Sequence, residues 1–488
     1  MAARTDTTKG VFDKVDGGIG ISYEEYRKAE PVTGSTALAE ALADAKPRPL
    51  SKNMIKLYGI MVVGYLIATM NGFDSILMGA INAMPAYQKT FALTGAGSST
   101  GIIFIIYNLP GRGRFLLGFG AAIASAAGPA YIAELAHPAF RGIMAGFYNN
   151  FWWFGNIIAG WTTYGSNKNL TTSSWAWRTP TVVQAGMPLI VIVLIILFPE
   201  SPRWLVAHDR NEEAIKILAK YHADGDEHAP IVRLQYEEIR EDLAETADKT
   251  AWWDYRGLAN TRGRRYRLSM VIAMAFFGQW SGNNVVSYFM TEILKSAGIL
   301  DPNKQLLINA IAPIFALIAS AYGATLLDKR GRRFMLLWGM VGSIFAFILL
   351  TAFVSKTDAV PGLAYGTIVA IYLFLIFFSW GWTPLQMLYP VECLENVSRA
   401  KGMGVNYLFL NIAMVVNTFG VSVAIEKIGW RLYLIYICWQ VVELVTLYFF
   451  FPETAGRSIE ELSEVFNDPH PVKASLKSPL TKTHSSGS

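Results

Sequence analysis

The sequence predicts an all-α polytopic membrane protein made of two related helical bundles, the first of them shortened. Three observations predict it. Hydrophobic residues make up 52% of the 488 positions and charged residues only 16%, with a mean hydropathy of +0.31, more apolar surface than a soluble core usually buries. The apolar residues fall in blocks of about 20, the length that crosses a hydrocarbon core of about 30 Å. The second half of the chain also repeats motifs of the first at matching spacing.

Residues 1–53 read as a polar tail without an apolar stretch near its start, so no cleaved signal peptide is expected and the first span acts as the insertion signal. Apolar blocks then begin near Leu57, Gly101, Phe115, Gly142 and Val182, giving a first bundle over 54–199. The interruption at 200–267 is dense in Lys and Arg and ends in Arg262, Arg264, Arg265 and Arg267, which places it in the cytoplasm. Within it "RNEEAIKILAKY" and "RLQYEEIREDLAE" have helical periodicity and mixed charge at i, i+4 spacing, the mark of short helices. Six further blocks, beginning near Leu268, Lys304, Phe334, Leu363, Met403 and Leu432, give a six-helix second bundle over 268–452. The remainder, 453–488, is a second tail, and its Ser-, Lys- and Pro-rich end is expected to be disordered. Counting spans from the loop puts "YGSNKNLTTSSWAWR" outside, where the sequon at Asn169 is accessible, and keeps that at Asn396 inside.

The repeat is specific. "YIAELAHPAFRG" sets Glu134 seven residues before Arg141, and "YPVECLENVSRAKG" sets Glu392 seven residues before Arg399. Each half closes on the same words, "FPESPRWL" at Glu200 and "FPETAGRSIEEL" at Glu453. Arg141 to Glu200 is 59 positions and Arg399 to Glu453 is 54, but Leu57 to Glu134 is 77 where Leu268 to Glu392 is 124. The first copy is short by roughly 47 residues, about one hairpin of two spans. The stretch "GIIFIIYNLPGRGRFLLGFG" marks the place: a helix stops after about ten apolar residues and restarts past Pro110. A functional broken helix is one reading. The repeat arithmetic favours the other, a second helix joined directly to a fourth, leaving about ten full spans instead of twelve.

The strings "GRFLLGFG", "GPAYIAELAHPAFRG", "FPESPRWL", "FGQWSGNNVVSYF", "LLDKRGRR", "YPVECLENVSRAKG" and "FPETAGRSIEEL" resemble the signatures of the sugar porter family of the major facilitator superfamily, its fungal sugar/H+ symporter-like members most of all. The resemblance covers about 54–466. It implies two six-helix bundles with both termini cytoplasmic, a multi-pass protein of the plasma membrane, acting as a monomer. It implies transport of a mono- or disaccharide by alternating access, with protons as the coupling ion; the alternative is a transport-inactive truncated isoform or a sugar sensor. The sequence thus departs from the family by lacking part of helix 2, helix 3 and the start of helix 4.

Residue by residue, the resemblance places Glu134, Arg141, Glu200, Asp328, Arg332, Arg333, Glu392, Arg399 and Glu453 in a cytoplasmic gate, with ordinary positive-inside anchoring as the plainer reading. The basic turn Asp328 to Arg333 has no counterpart in the first copy. Asp74 is ionisable inside a span, where a role is the default hypothesis; with Arg114 it matches the family's proton-coupling pair, and a helix-end charge reaching for the interface is the competing reading. Substrate binding falls to Gln279 and Asn284, which match the family's amides, to Asn149 on the fifth helix, and to Trp382 or Trp380 as an aromatic wall. Gly278 stands where many relatives carry another Gln, and Ala316 where they carry Asn.

Other functions find no support. The six histidines sit in loops, helix ends or tails without metal-ligand spacing, and no glycine motif follows a strand. No cofactor, metal or enzymatic activity is expected, and the net charge of +5 does not imply nucleic acid. Cys393 and Cys438 are expected to be free thiols.

Overall fold

The computed structural model describes residues 50–91, 112–247, 253–356, 360, 362–395, 398–455, 457 and 459–476. Residues 92–111, which hold Pro110 and the start of the junction, lie outside the described residues, as does the Asn396 sequon.

The chain enters at Ser51, whose hydroxyl accepts the Met54 N–H and caps α1 (Lys52–Asn82). There follow α2 (Pro85–Phe91), α3 (Arg112–Leu135), α4 (Arg141–Asn169) and α5 (Trp175–Ile195), then three short helices, α6 (Pro202–Ala207), α7 (Asn211–His222) and α8 (Pro230–Ala247). The second bundle comprises α9 (Arg262–Trp280), α10 (Asn283–Ser296), α11 (Pro302–Arg330), α12 (Arg332–Lys356), α13 (Leu363–Gly381), α14 (Leu385–Cys393), α15 (Arg399–Ile428) and α16 (Arg431–Phe450). Two small helices close the chain, α17 (Ile459–Asn467) and α18 (Pro471–Leu476).

Among the described residues seven helical runs are long and apolar enough to cross a membrane: α1, α5, α11, α12, α13 with α14, α15 and α16. At 1.5 Å per residue, α3 and α4, with 24 and 29 residues, reach about 36 and 43 Å. α9 and α10 form one crossing, interrupted at Ser281 and Gly282. The described residues therefore hold four membrane-length segments before the polar loop and six after it, the inequality that the repeat spacing requires.

Helices that share a bilayer have no hydrophobic force between them and associate through close backbone approach at small residues. At the α1–α4 contact a Cβ on Gly72 would lie 1.9 Å from the Trp152 carbonyl oxygen, and one on Gly155 would lie 1.9 Å from that of Thr69. In the second bundle Gly323 sits as tightly on the Trp380 carbonyl. The bundles meet where Gly79 of α1 faces the Tyr288 carbonyl of α10 and Gly160 of α4 faces Ala310 of α11. Asn167 Nδ2 donates to Asn303 Oδ1 at 3.0 Å across the same seam.

Both copies close with the same bonds. Tyr131 donates its hydroxyl to the Pro199 carbonyl at 2.8 Å, and Tyr389 donates to that of Pro452 at 2.9 Å. Ser201 donates to Glu134 Oε2, and Thr454 to Glu392 Oε2. Each tyrosine stands three residues before its glutamate, and each hydroxyl directly after the second glutamate. The duplication is thus one of geometry as well as of words.

The loop helices appear where the periodicity places them, as α7 and α8. His222, buried at the end of α7, sets Nε2 3.1 Å from the Leu135 carbonyl at the end of α3, fastening the loop to the first bundle. The C-terminal stretch departs from expectation. α18 is ordered because its Ser475 hydroxyl accepts the Glu453 N–H at 2.9 Å and its Ser475 carbonyl accepts from Arg457 at 2.8 Å, two bonds that outweigh its polar composition. The last twelve residues lie outside the described residues.

Candidate functional site

The interruption between α9 and α10 organises the centre of the molecule. Gly282 has φ 103°, a left-handed backbone that favours glycine, and a Cβ there would lie 2.3 Å from Phe347. The freed backbone groups find side-chain partners: Asn417 of α15 donates to the Gln279 carbonyl at 2.8 Å, and Gln440 of α16 donates to the Ser281 carbonyl at 2.6 Å. Non-helical backbone inside a membrane protein persists where protein supplies such partners.

Gln279 and Asn284 flank this break and both are buried. The Asn284 Nδ2 has no hydrogen-bond partner. An unsatisfied buried donor costs about 1–3 kcal/mol, so it is a ready contact for a polar ligand. Nearby, Gly278 leaves room that is filled from another helix. Gln386 of α14 puts Nε2 2.6 Å from where a Gly278 Cβ would be.

Asn149 and Trp382 sit differently from a simple ligand wall. Asn149 Nδ2 donates to the Thr383 carbonyl at 2.6 Å, so it ties α4 to the turn after α13 across the two bundles. Trp382 is fully buried and stacked on Phe378 with centroids 6.2 Å apart, and its Nε1 has no partner. The other aromatic candidate, Trp380, is half-buried and lends its carbonyl to the Gly323 contact.

Asp74 lies half-buried on α1 and accepts a short hydrogen bond from the Gln184 amide of α5. One turn earlier Asn71 donates to Ser125 Oγ of α3 at 2.8 Å, so polar groups link α1 to α3 and α5 at this level. The Arg114 side chain lies outside the described residues, although its backbone belongs to the first turn of α3.

The gate residues divide by copy. In the second bundle Arg332 grips Glu392, with Nη2 2.9 Å from Oε1, while the backbone N–H groups of Arg332 and Arg333 donate to Glu453 at 2.8 and 3.0 Å. Arg333 caps the end of α16 through the Tyr448 carbonyl and lies over the Tyr448 ring. Glu395, absent from the sequence reading, pairs with Arg264 at 3.0 Å. In the first copy Glu134 takes the Ser201 hydroxyl, and no basic turn corresponding to Arg332 and Arg333 stands among the described residues. Glu200 is exposed. The side chains of Arg141 and Asp328 lie outside the described residues, and Arg399 opens α15. A separate cleft of about 280 Å³ on α1 and α4, lined by Tyr58, Met61, Tyr65, Met144 and Phe147, offers no amide or carboxylate and is unsuited to a polar solute.

Sequence reasoning missed Gln184, Gln386, Asn417 and Gln440. All four are amides within apolar blocks, a signal that could have marked them.

Two repeated helical bundles, the second opened by the interrupted pair α9 and α10, have the architecture of the major facilitator fold. Residues 106–466 match the sugar (and other) transporter family, and the chain belongs to that family. It is 30% identical over 387 residues to the high-affinity glucose transporter of Kluyveromyces lactis, the alignment covering 74% of this chain and 68% of the relative. A probable quinate permease of Aspergillus clavatus is 23% identical, with 87% of this chain and 90% of the relative covered. The partially occluded, inward-open xylose transporter of E. coli superposes with a TM-score of 0.59 at 21% identity, over 87% of this chain and 94% of that one. That likeness is one of fold.

Proposed function

We propose that this protein carries a sugar across the bilayer by alternating access, with protons as the coupling ion. The observation that carries the reading is the break at Gly282, which sets the buried amides of Gln279 and Asn284, one of them with an unused N–H, on either side of an interrupted helix. Hydroxyl groups of a sugar supply the acceptors that such amides lack. The glucose, sugar and xylose transporters among the relatives support the substrate class, while the quinate permease keeps the individual solute open. Coupling belongs to Asp74, a carboxyl inside a span with a hydrogen-bond partner from α5, together with Arg114.

In this reading Asn149 and Trp382 border the sugar site, and the nine charged residues from Glu134 to Glu453 form the inner gate. Residues 54–199 and 268–452 are the two moving bundles, 200–267 and both tails (1–53 and 453–488) face the cytoplasm, and the protein works as a monomer in the plasma membrane. A panel of radiolabelled mono- and disaccharides offered to proteoliposomes under an inward proton gradient tests it: one sugar accumulates above equilibrium, and a protonophore abolishes the accumulation. Accumulation of none of them, with no counterflow, sinks the reading.

A second reading is favoured by the missing basic turn of the first copy. Without the partners that Arg332 and Arg333 provide in the second bundle, the gate lacks one of its two halves, and the chain binds sugar without moving it, as a sensor or inactive isoform. Sugar binding by calorimetry together with absent counterflow is the result expected of it.

A further inference from the structure

One carboxyl group deep in the second bundle has no charged partner among the described residues. Glu443, in the middle of α16, is fully buried; Oε1 accepts the Trp439 indole N–H at 2.6 Å and Oε2 has no hydrogen-bond partner. One turn earlier Gln440, also fully buried, spends its N–H on the Ser281 carbonyl and leaves Oε1 unpartnered. Ser281, the C-cap of α9, has a buried hydroxyl that is unpartnered as well. Three unused oxygens thus belong to a hydroxyl at the end of α9, to the amide that bonds its carbonyl, and to a carboxyl one turn further along α16. That end of α9 is the negative pole of its dipole.

Three neighbouring donors are already committed, while Asn284 Nδ2 at the same break has no partner. Asn417 donates to the Gln279 carbonyl, Tyr436 donates to Asn417 Oδ1, and Trp280 donates its indole N–H to the Ala413 carbonyl at 2.9 Å. Charged groups on the packed helices stand at helix ends: on α9 Arg262, Arg264, Arg265 and Arg267 lie with Tyr266 in the first two turns, Arg264 and Arg267 against Glu395. On α10 Lys295 pairs with Glu292 at 2.8 Å; on α12 Arg332 pairs with Glu392, Arg333 binds the Tyr448 carbonyl, and Lys356 closes the far end. α15 carries Arg399 and Lys401 at its start and Glu426 and Lys427 at its close; α16 begins with Arg431 and bears Tyr433, Tyr436 and Tyr448. Lys401 itself donates to the Asp254 carbonyl at 2.9 Å.

A bare carboxylate that is fully buried, one turn from an amide bound to the negative end of a helix and with no charged partner among the described residues, is costly to keep. A small cation changes the balance. A proton satisfies Oε2 directly, and a hard monovalent ion takes its ligands from oxygens of these kinds. Ends of interrupted membrane helices are also where transporters hold coupling cations.

We propose that Glu443, Gln440 and Ser281 form a small-cation site, for a proton or a sodium ion, at the break between α9 and α10. It is distinct from Asp74, which belongs to the other bundle, and it stands whether or not the substrate is a sugar. Its occupancy reaches the centre of the molecule through Gln440 on Ser281, two residues from Gln279.

The test uses the full chain in lipid nanodiscs without any sugar, by infrared difference spectroscopy while pH is stepped and sodium is exchanged for choline. A proton site gives a protonated-carboxyl C=O band that sodium does not alter and that Glu443→Gln removes. A sodium site gives a sodium-dependent shift of a carboxylate band and a calorimetric heat with sodium chloride, both lost in Glu443→Gln and weakened in Ser281→Ala. Should Glu443→Gln fail to fold, Asp74→Asn serves instead, since the band or the sodium response persists when the first-bundle carboxyl is gone. Identical spectra for wild type and Glu443→Gln under every condition, or loss of every band and sodium response in Asp74→Asn, overturn the proposal.

Discussion

Asp74 and Glu392 are both carboxyls near polar partners, yet the structure uses them differently. Glu392 is held by a guanidinium and a hydroxyl at the end of a bundle. Removing one partner of a desolvated pair strands the other. Arg332→Ala is therefore expected to cost about 3 kcal/mol, seen as a lower Tm in detergent, whereas Thr454→Val costs about 1 kcal/mol. Asp74 accepts a hydrogen bond from an amide on another helix of its own bundle. Asp74→Asn keeps the fold and is expected to abolish proton-driven accumulation while sugar counterflow continues; equal loss of both would remove Asp74 from coupling. Gln279→Ala is expected to weaken sugar binding about tenfold, or 1.4 kcal/mol, measured as a Kd. Of these residues Asp74 was readable as a charge inside a span and the paired glutamates from motif spacing, whereas Gln279 and Asn284 were named from the family resemblance of their motif. Asn149 was legible as a polar residue, but its bond to the Thr383 carbonyl, 234 positions away, depends on how two bundles approach and has no local signal.

Among the elements, α1 and α4 are joined most intimately, because glycines from both sides let the backbones touch. Gly155→Leu is expected to drive these helices apart and yield aggregated protein on size exclusion, and Gly59→Ala, where no atom lies within 4 Å, is expected to be silent. The turn between α4 and α5 supplies a topological check: Asn169, exposed at the end of α4, is expected to carry glycan when the chain is made in a eukaryotic host, while Asn396 stays bare. An endoglycosidase shift that survives Asn169→Gln would reverse the assigned orientation. Helix existence and type were readable from block length and periodicity, down to α7 and α8. The break at Gly282 was not, since glycine in an apolar run reads equally as packing or interruption until Phe347 and the amides of α15 and α16 are in place. α18 escaped for a similar reason, its order coming from two bonds to a distant segment.

At the scale of the whole molecule the two halves are unequal. The described residues hold four membrane-length segments in the first and six in the second, and the most apolar window of α5 is only 17% buried against 50% for α12. Local stability follows burial, so amide exchange in lipid nanodiscs is expected to be faster across α5 than across α12; equal protection would mean that other chain or a second copy covers the first half. The inequality was legible because a duplicated sequence is its own ruler, and the bonds of Tyr131 and Tyr389 show that both halves were cut to one pattern. What could not be read was how the halves face one another, which no spacing within either half encodes.

Gly282 carries a consequence of its own. Any side chain there meets two obstacles at once, an unfavourable backbone angle and the ring of Phe347, and trimming Phe347 relieves just the second. In a saturation screen this codon would tolerate nothing else, and no compensating change at Phe347 would rescue it fully. Such intolerance, sitting midway through a greasy segment, is how the elbow of this protein would announce itself to a geneticist who had never seen its shape.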